Sequence, residues 1–169
     1  MLSTRDLAFG ALLVALSLVI PLAWGGFLMV AIPPFTATLA SHVPLFLSML
    51  VSPAVAAMVG FGSAIGFTLR LSPVIGARAA MHIGVGYLGA RLVRSGRPYW
   101  LALLIVLPVH AVLEALIVLP FGFSLYRAGV VVGVGTALHH LVDAGISLAL
   151  VRILSQTRVW PLAYRPLWR

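Results

Sequence analysis

Eight ionisable side chains interrupt stretches that are otherwise apolar: His42, Arg78, His82, His110, Glu114, His139, His140 and Asp143. In lipid each such group costs several kcal/mol unless it faces a cavity or a partner, so these positions mark where water, a ligand or an ion pair must be. Arg78 and His82 are four residues apart, as are His110 and Glu114, and His139 and Asp143. On helices, each pair then lies on one face, one turn apart. An arginine and several imidazoles gathered at one mouth could hold an anionic or heteroaromatic ligand through charge and hydrogen bonds. There is a plainer use for each. His110 with Glu114, and His139 with Asp143, could satisfy one another within a helix, and Arg78 could extend its guanidinium to the membrane surface.

Other chemistry is excluded by absence. With no Cys there is no disulfide, thiol nucleophile or thiolate metal site. All basic residues other than His are Arg, so a P-loop ending in Gly-Lys-Ser/Thr and a lysine Schiff base are both missing. Gly84-x-Gly86-x-x-Gly89 matches the dinucleotide fingerprint in letters, but it lies inside an apolar run with no strand before it. His139-His140-x-x-Asp143 could ligate a metal; on a helix, however, His139 and His140 point about 100° apart, and the His-Glu-x-x-His pattern is absent. No serine sits in a nucleophile elbow. The chain reads as a non-enzyme with no metal and no cofactor. The competing classes are a membrane enzyme built on the last two His and acid pairs, and a carrier coupled to protons through Glu114 and Asp143.

The elements that must position these groups follow from composition. Of 169 residues, 62% are apolar and 8% charged, with a mean hydropathy of +1.15, which excludes a soluble enzyme. A membrane-spanning helix takes about 20 residues, so six spans use roughly 120 and leave only short loops and tails. Punctuation places helices at about 6–23, 35–51, 53–69, 73–93, 99–119 and 128–153, one all-α transmembrane domain over 1–169. Thr4 or Asp6 can cap the first, which reads as an uncleaved helix, since one Arg against one Asp makes a poor signal-peptide start. Ser52-Pro53 and Ser72-Pro73 open the third and fourth, with Pro at the first helical position. Pro108 predicts a kink in the fifth. A Gly- and Pro-broken loop is predicted from Trp24-Gly25-Gly26 to Pro33-Pro34, and Trp160, Tyr164 and Trp168 are candidate interfacial anchors.

Six spans put both termini on one side, and the arginines say which. Arg5, Arg91, Arg94, Arg97, Arg152, Arg158, Arg165 and Arg169 fall there, against Arg70, Arg78 and Arg127 opposite, so both termini are expected in the cytoplasm. Spread between apolar segments without interleaved aromatics, these arginines do not form a nucleic-acid face. His42, Arg78 and Glu114 then fall in the outer half of the bundle. On helix one, Ala8, Ala11 and Ala15 form a smooth strip whose spacing lets another helix approach closely. Gly62-x-x-x-Gly66 on helix three has the same spacing and is expected to pack internally.

Thr4-Arg5-Asp6-Leu7-Ala8 leading into Ala11-Leu12-Leu13-Val14-Ala15, within six short spans, resembles the substrate-binding S components of energy-coupling factor vitamin transporters of prokaryotic cell membranes. The run Pro34-Phe35-Thr36-Ala37-Thr38-Leu39-Ala40-Ser41-His42-Val43-Pro44, continuing to Leu50-Val51-Ser52-Pro53, looks most like the subgroup assigned to niacin. The resemblance implies a vitamin bound at the outer face under a lid formed by the loop at 24–34. It implies docking, through Ala11 and Ala15, on a transmembrane coupling protein driven by two ATPases, with the whole subunit toppling to carry the site inward. For nicotinate it implies Arg78 as the cation, His82 and His42 as donors, and Trp24 or Tyr87 as a stacking surface. Glu114 and His139 would orient the pocket or meet a ring nitrogen. Another small vitamin would suit the same residue types.

Overall fold

The computed structural model describes residues 2–156, so the expected anchors Trp160, Tyr164 and Trp168 and the arginines at 158, 165 and 169 lie outside the described residues. The first helix, α1, is Thr4–Leu28. A capping box starts it: the Asp6 N–H donates to Ser3 Oγ at 3.1 Å and the Ser3 N–H to the Asp6 carboxylate at 3.0 Å. Ser3, not Thr4 or Asp6, is therefore the N-cap. The helix continues through Trp24-Gly25-Gly26, where the sequence predicts a loop. Glycine inside a helix costs only about 1 kcal/mol, less than leaving backbone groups unpaired in lipid.

A hairpin follows. Strands β1 (Met29–Ile32) and β2 (Phe35–Thr38) pair antiparallel around Pro33-Pro34, whose peptide is cis, with Met29 opposite Thr38 and Ile32 opposite Phe35. The helix expected over 35–51 forms only as α2, Val43–Met49. Phe35-Thr36-Ala37-Thr38 alternates apolar and β-branched polar residues with a period of two, directly after two prolines that lack N–H groups. That period is used twice. Phe35 is buried beside Val118, Ala128 and Val132 with Ala37 against the same cluster, while Thr36 and Thr38 line a cavity.

Helices α3 (Pro53–Arg70) and α4 (Pro73–Arg94) begin at the two Ser-Pro pairs: Ser52 Oγ accepts the Val55 N–H at 3.1 Å, and Ser72 Oγ the Ile75 N–H at 3.3 Å. They meet at Gly60, where a Cβ would fall 2.7 Å from the His82 carbonyl carbon, so only glycine lets the backbones approach this closely. Gly62 and Gly66 face Val14 and Leu18 of α1, an internal contact. Helix α5 (Tyr99–Ile117) contains Pro108 and ends in the 3-10 turn Leu119–Phe121, after which Gly122 turns the chain at φ 83°. The last span opens as a π-helical segment, Arg127–Val134, and becomes α6, Gly135–Ser155.

The protein is all-helical but for the hairpin, and polytopic. Among the described residues, four segments are long and apolar enough to cross a membrane: Thr4–Leu28, Pro53–Arg70, Tyr99–Phe121 and Arg127–Ser155. Helix α4 is also long enough, at 22 residues, but carries Arg78, His82, Arg91 and Arg94. The seven residues of α2, all buried, rise only about 10 Å, so α2 alone is too short to span, and β2 and α2 together carry the chain from the hairpin back to the start of α3. The main core gathers Phe46, Met49, Val59, Val85, Leu103 and Val106, and Tyr99 Oη lies 2.7 Å from Ser147 Oγ inside it.

Candidate functional site

Arg78 and His82 are one turn apart on α4, His110 and Glu114 one turn apart on α5, and Thr136, His140 and Asp143 follow one face of α6. All seven are buried. Glu114 is the hub. Its Oε2 accepts from Arg78 Nε at 3.0 Å, Arg78 Nη2 at 2.6 Å and the Thr136 hydroxyl at 2.7 Å. Its Oε1 faces His82 Nε2 at 3.2 Å and His110 Nε2 at 3.3 Å. Arg78 also donates from Nη1 to the Pro34 carbonyl at 3.1 Å and from Nη2 to the Thr36 carbonyl, so the guanidinium joins α4, α5 and the hairpin.

Asp143 organises the other wall. Its Oδ1 accepts the Ala40 N–H at 2.7 Å and its Oδ2 the His42 N–H at 2.9 Å, which pins the connection from β2 to α2 where Ala40 takes φ 67°, a conformation unusual for a residue with a Cβ. His139 Nε2 lies 3.0 Å from both Asp143 Oδ2 and the Thr38 carbonyl. His42 is thereby held among three other imidazoles, with ring centroids 4.9 Å from His82, 4.8 Å from His110 and 4.4 Å from His139. Among the described residues, His42 Nδ1 is the one buried side-chain polar atom with no hydrogen bond. Asp143 Oδ2 lies 3.3 Å from it.

These groups border a cavity of about 310 Å³, the size of site that takes a small molecule. It lies toward the end of the bundle that carries the C-terminus of α1, the hairpin and the N-terminus of α4. Five predicted residues line it: His42, Arg78, His82, Glu114 and His139. Trp24 does not. It is 46% exposed on α1, because that helix continues past it and turns the indole outward. Tyr87, also proposed for stacking, is 49% exposed on the outer side of α4. The intrahelical pairs His110 with Glu114 and His139 with Asp143 do form, at 3.3 and 3.0 Å, but each is shared with other elements. Ala8, Ala11 and Ala15 are exposed on α1.

Sequence reasoning missed Thr36, Thr38 and Thr136. The Phe-Thr-Ala-Thr alternation was the signal for the first two, and the spacing of Thr136 with His140 and Asp143, all on one α6 face, for the third. His42, His82, His110 and Glu114 have donor atoms within 4.8 Å of one another, close enough to surround an ion. Glu114 is already taken by four side chains, one of them the cationic Arg78, and both Asp143 oxygens are held by backbone N–H groups. The cluster is joined as one hydrogen-bonded network.

A protein named niacin transporter NiaX, from Lactococcus lactis subsp. cremoris (strain MG1363), is 30% identical to the chain over 170 residues, covering 90% of this chain and 75% of the relative. No protein-family model matches the chain. No solved structure matches it.

Proposed function

The chain belongs to the S components of energy-coupling factor vitamin transporters, in the niacin-like subgroup, and from that premise we propose that it binds niacin in the cavity beneath the hairpin and presents it for ATP-driven uptake. It is a multi-pass protein of the prokaryotic cell membrane. The observation that carries the reading is the convergence of four buried ionisable side chains, from α4, α5 and the start of α2, and the part-buried His139 of α6 on one cavity of about 310 Å³. Ionisable groups at membrane depth are costly, and their gathering around one cavity marks a site where a ligand is held.

In this reading His42 and His82 hydrogen-bond the ligand's carboxyl or amide group. Thr36 and Thr38 supply hydroxyls from the hairpin, and His139 and Glu114 set the orientation of the ring. Arg78 acts mainly as a brace. Four of its five N–H groups are taken by Glu114 and the hairpin carbonyls, which leaves one Nη1 hydrogen for a carboxylate. The hairpin is the lid, and the cavity opens to the outside with both termini in the cytoplasm, an orientation supported by the excess of arginine toward the opposite ends of the helices. The exposed Ala8, Ala11 and Ala15 strip docks on a transmembrane coupling protein, whose two ATPase partners supply the energy.

Calorimetry of the detergent-solubilised chain against a vitamin panel tests this. Tight one-to-one binding of nicotinate or nicotinamide without ATP is expected. Tight binding of a different vitamin, with niacin silent, overturns the ligand assignment, and silence across the panel overturns the binding-subunit role.

A further inference from the structure

The charges in and behind the cavity do not balance. Arg78 contributes one positive charge, Glu114 and Asp143 two negative ones, and all three side chains are buried. With every imidazole neutral, the site carries a net charge of minus one, and a pyridine carboxylate would raise that to minus two in a medium that screens charge poorly. The guanidinium cannot offset the ligand alone, since Glu114 already matches it.

The hydrogen-bond chain behind the cavity shows where a compensating proton would sit. The Leu103 carbonyl can only accept, so His140 Nε2, 3.0 Å away, carries a hydrogen. In a neutral His140 the Nδ1 atom is then a lone pair, and His110 Nδ1, 3.0 Å from it, must donate. A neutral His110 would consequently turn the lone pair of Nε2 toward Glu114 Oε1 at 3.3 Å, acceptor against acceptor. One added proton removes the conflict. Whichever of the two rings takes it, His110 Nε2 becomes a donor to Glu114.

We infer that the cavity binds an anionic ligand together with one proton, held by the His110 and His140 pair against Glu114. The inference rests on the niacin reading above and adds the ionic form in which the site takes its ligand. The groups facing this proton come from every neighbouring element. From α4 there are Arg78, which opposes it, and His82, whose ring centroid is 5.0 Å from that of His110. Ahead of α2 there is His42, 4.8 Å from His110 by the same measure, with Asp143 and His139 of α6 beyond it. The Thr136 hydroxyl completes the α6 side. Anion and proton each favour the binding of the other, and the coupling is reciprocal.

The test is calorimetry of the solubilised full chain with nicotinate, in buffers of differing ionisation enthalpy, between about pH 6 and pH 9. Proton uptake approaching about one per nicotinate is expected within that range, with affinity falling by up to about tenfold per pH unit where uptake is largest. Nicotinamide, which carries no carboxylate, should show little of either. In Glu114→Gln the side-chain amide can donate to His110 Nε2, so whatever nicotinate binding the variant retains should come without proton uptake. Thermal unfolding in detergent reports whether that variant is folded; if it is not, or if it binds neither vitamer, the wild-type proton count alone decides. Tight nicotinate binding with no proton taken up at any pH overturns the inference and leaves the niacin reading standing, as does undiminished uptake in a folded Glu114→Gln. Binding of neither vitamer by the wild type overturns the reading and the inference with it.

Discussion

Arg78 Nη2 lies 2.6 Å from Glu114 Oε2, an ion pair between α4 and α5 with both side chains buried. Its guanidinium also holds the carbonyls of Pro34 and Thr36, so one side chain fixes the cavity floor and the hairpin above it. Removing it as Arg78→Met leaves a buried carboxylate without its cation, at a cost of about 3–5 kcal/mol. Thermal unfolding in detergent should show a large drop in midpoint, and niacin affinity should fall because the hairpin loses its tether. Unchanged stability and unchanged affinity would contradict the bracing role.

Gly60 sets the distance between α3 and α4 at His82. Because a Cβ there meets backbone atoms of His82 and Ile83 and not a flexible side-chain tip, Gly60→Ala must push the helices apart. Destabilisation of about 1–3 kcal/mol is expected, together with weaker ligand binding as His82 retreats from the cavity. Thermal unfolding and calorimetry on the same preparation check both.

Trp24 and His42 should separate cleanly. Trp24 is outside the cavity, and Trp24→Phe is expected to leave affinity unchanged. His42→Phe keeps a ring among its neighbours but loses the polar edge, and should weaken binding by about fivefold or more, the worth of one net hydrogen bond. Equal effects from the two would undo the placement of the ligand.

The α1 strip should act only in assembly. Ala11→Trp adds bulk to an exposed face far from Glu114, so binding by the isolated chain should persist while uptake by cells carrying the coupling protein and its ATPases is lost. Retained uptake would remove the strip as the docking surface.

Much of the site was legible because lipid makes ionisable residues conspicuous: His42, Arg78, His82, Glu114 and His139 stand out by composition and do line one cavity. Ser52-Pro53 and Ser72-Pro73 likewise mark the starts of α3 and α4, since serine capping and proline at the first helical position are local effects. What was not legible depends on partners distant in sequence. The segment at 35–38 is apolar enough for a helix, and only pairing with 29–32 makes it a strand. Trp24 fell into a predicted loop because Gly25-Gly26 suggests a break, and membrane burial overrides that preference. No spacing rule announces that His110 and His140, from different helices, meet at 3.0 Å, or that Asp143 pins Ala40 and His42 from about a hundred residues away.

The central claim is that the cavity beneath the hairpin binds niacin through the imidazoles around His42. Calorimetry of the purified chain with nicotinate and nicotinamide, on wild type and His42→Phe side by side, tests it most directly. The account predicts tight one-to-one binding by the wild type and a clear loss in the variant. Silence of the wild type toward both vitamers, or full-strength binding by His42→Phe, would contradict it.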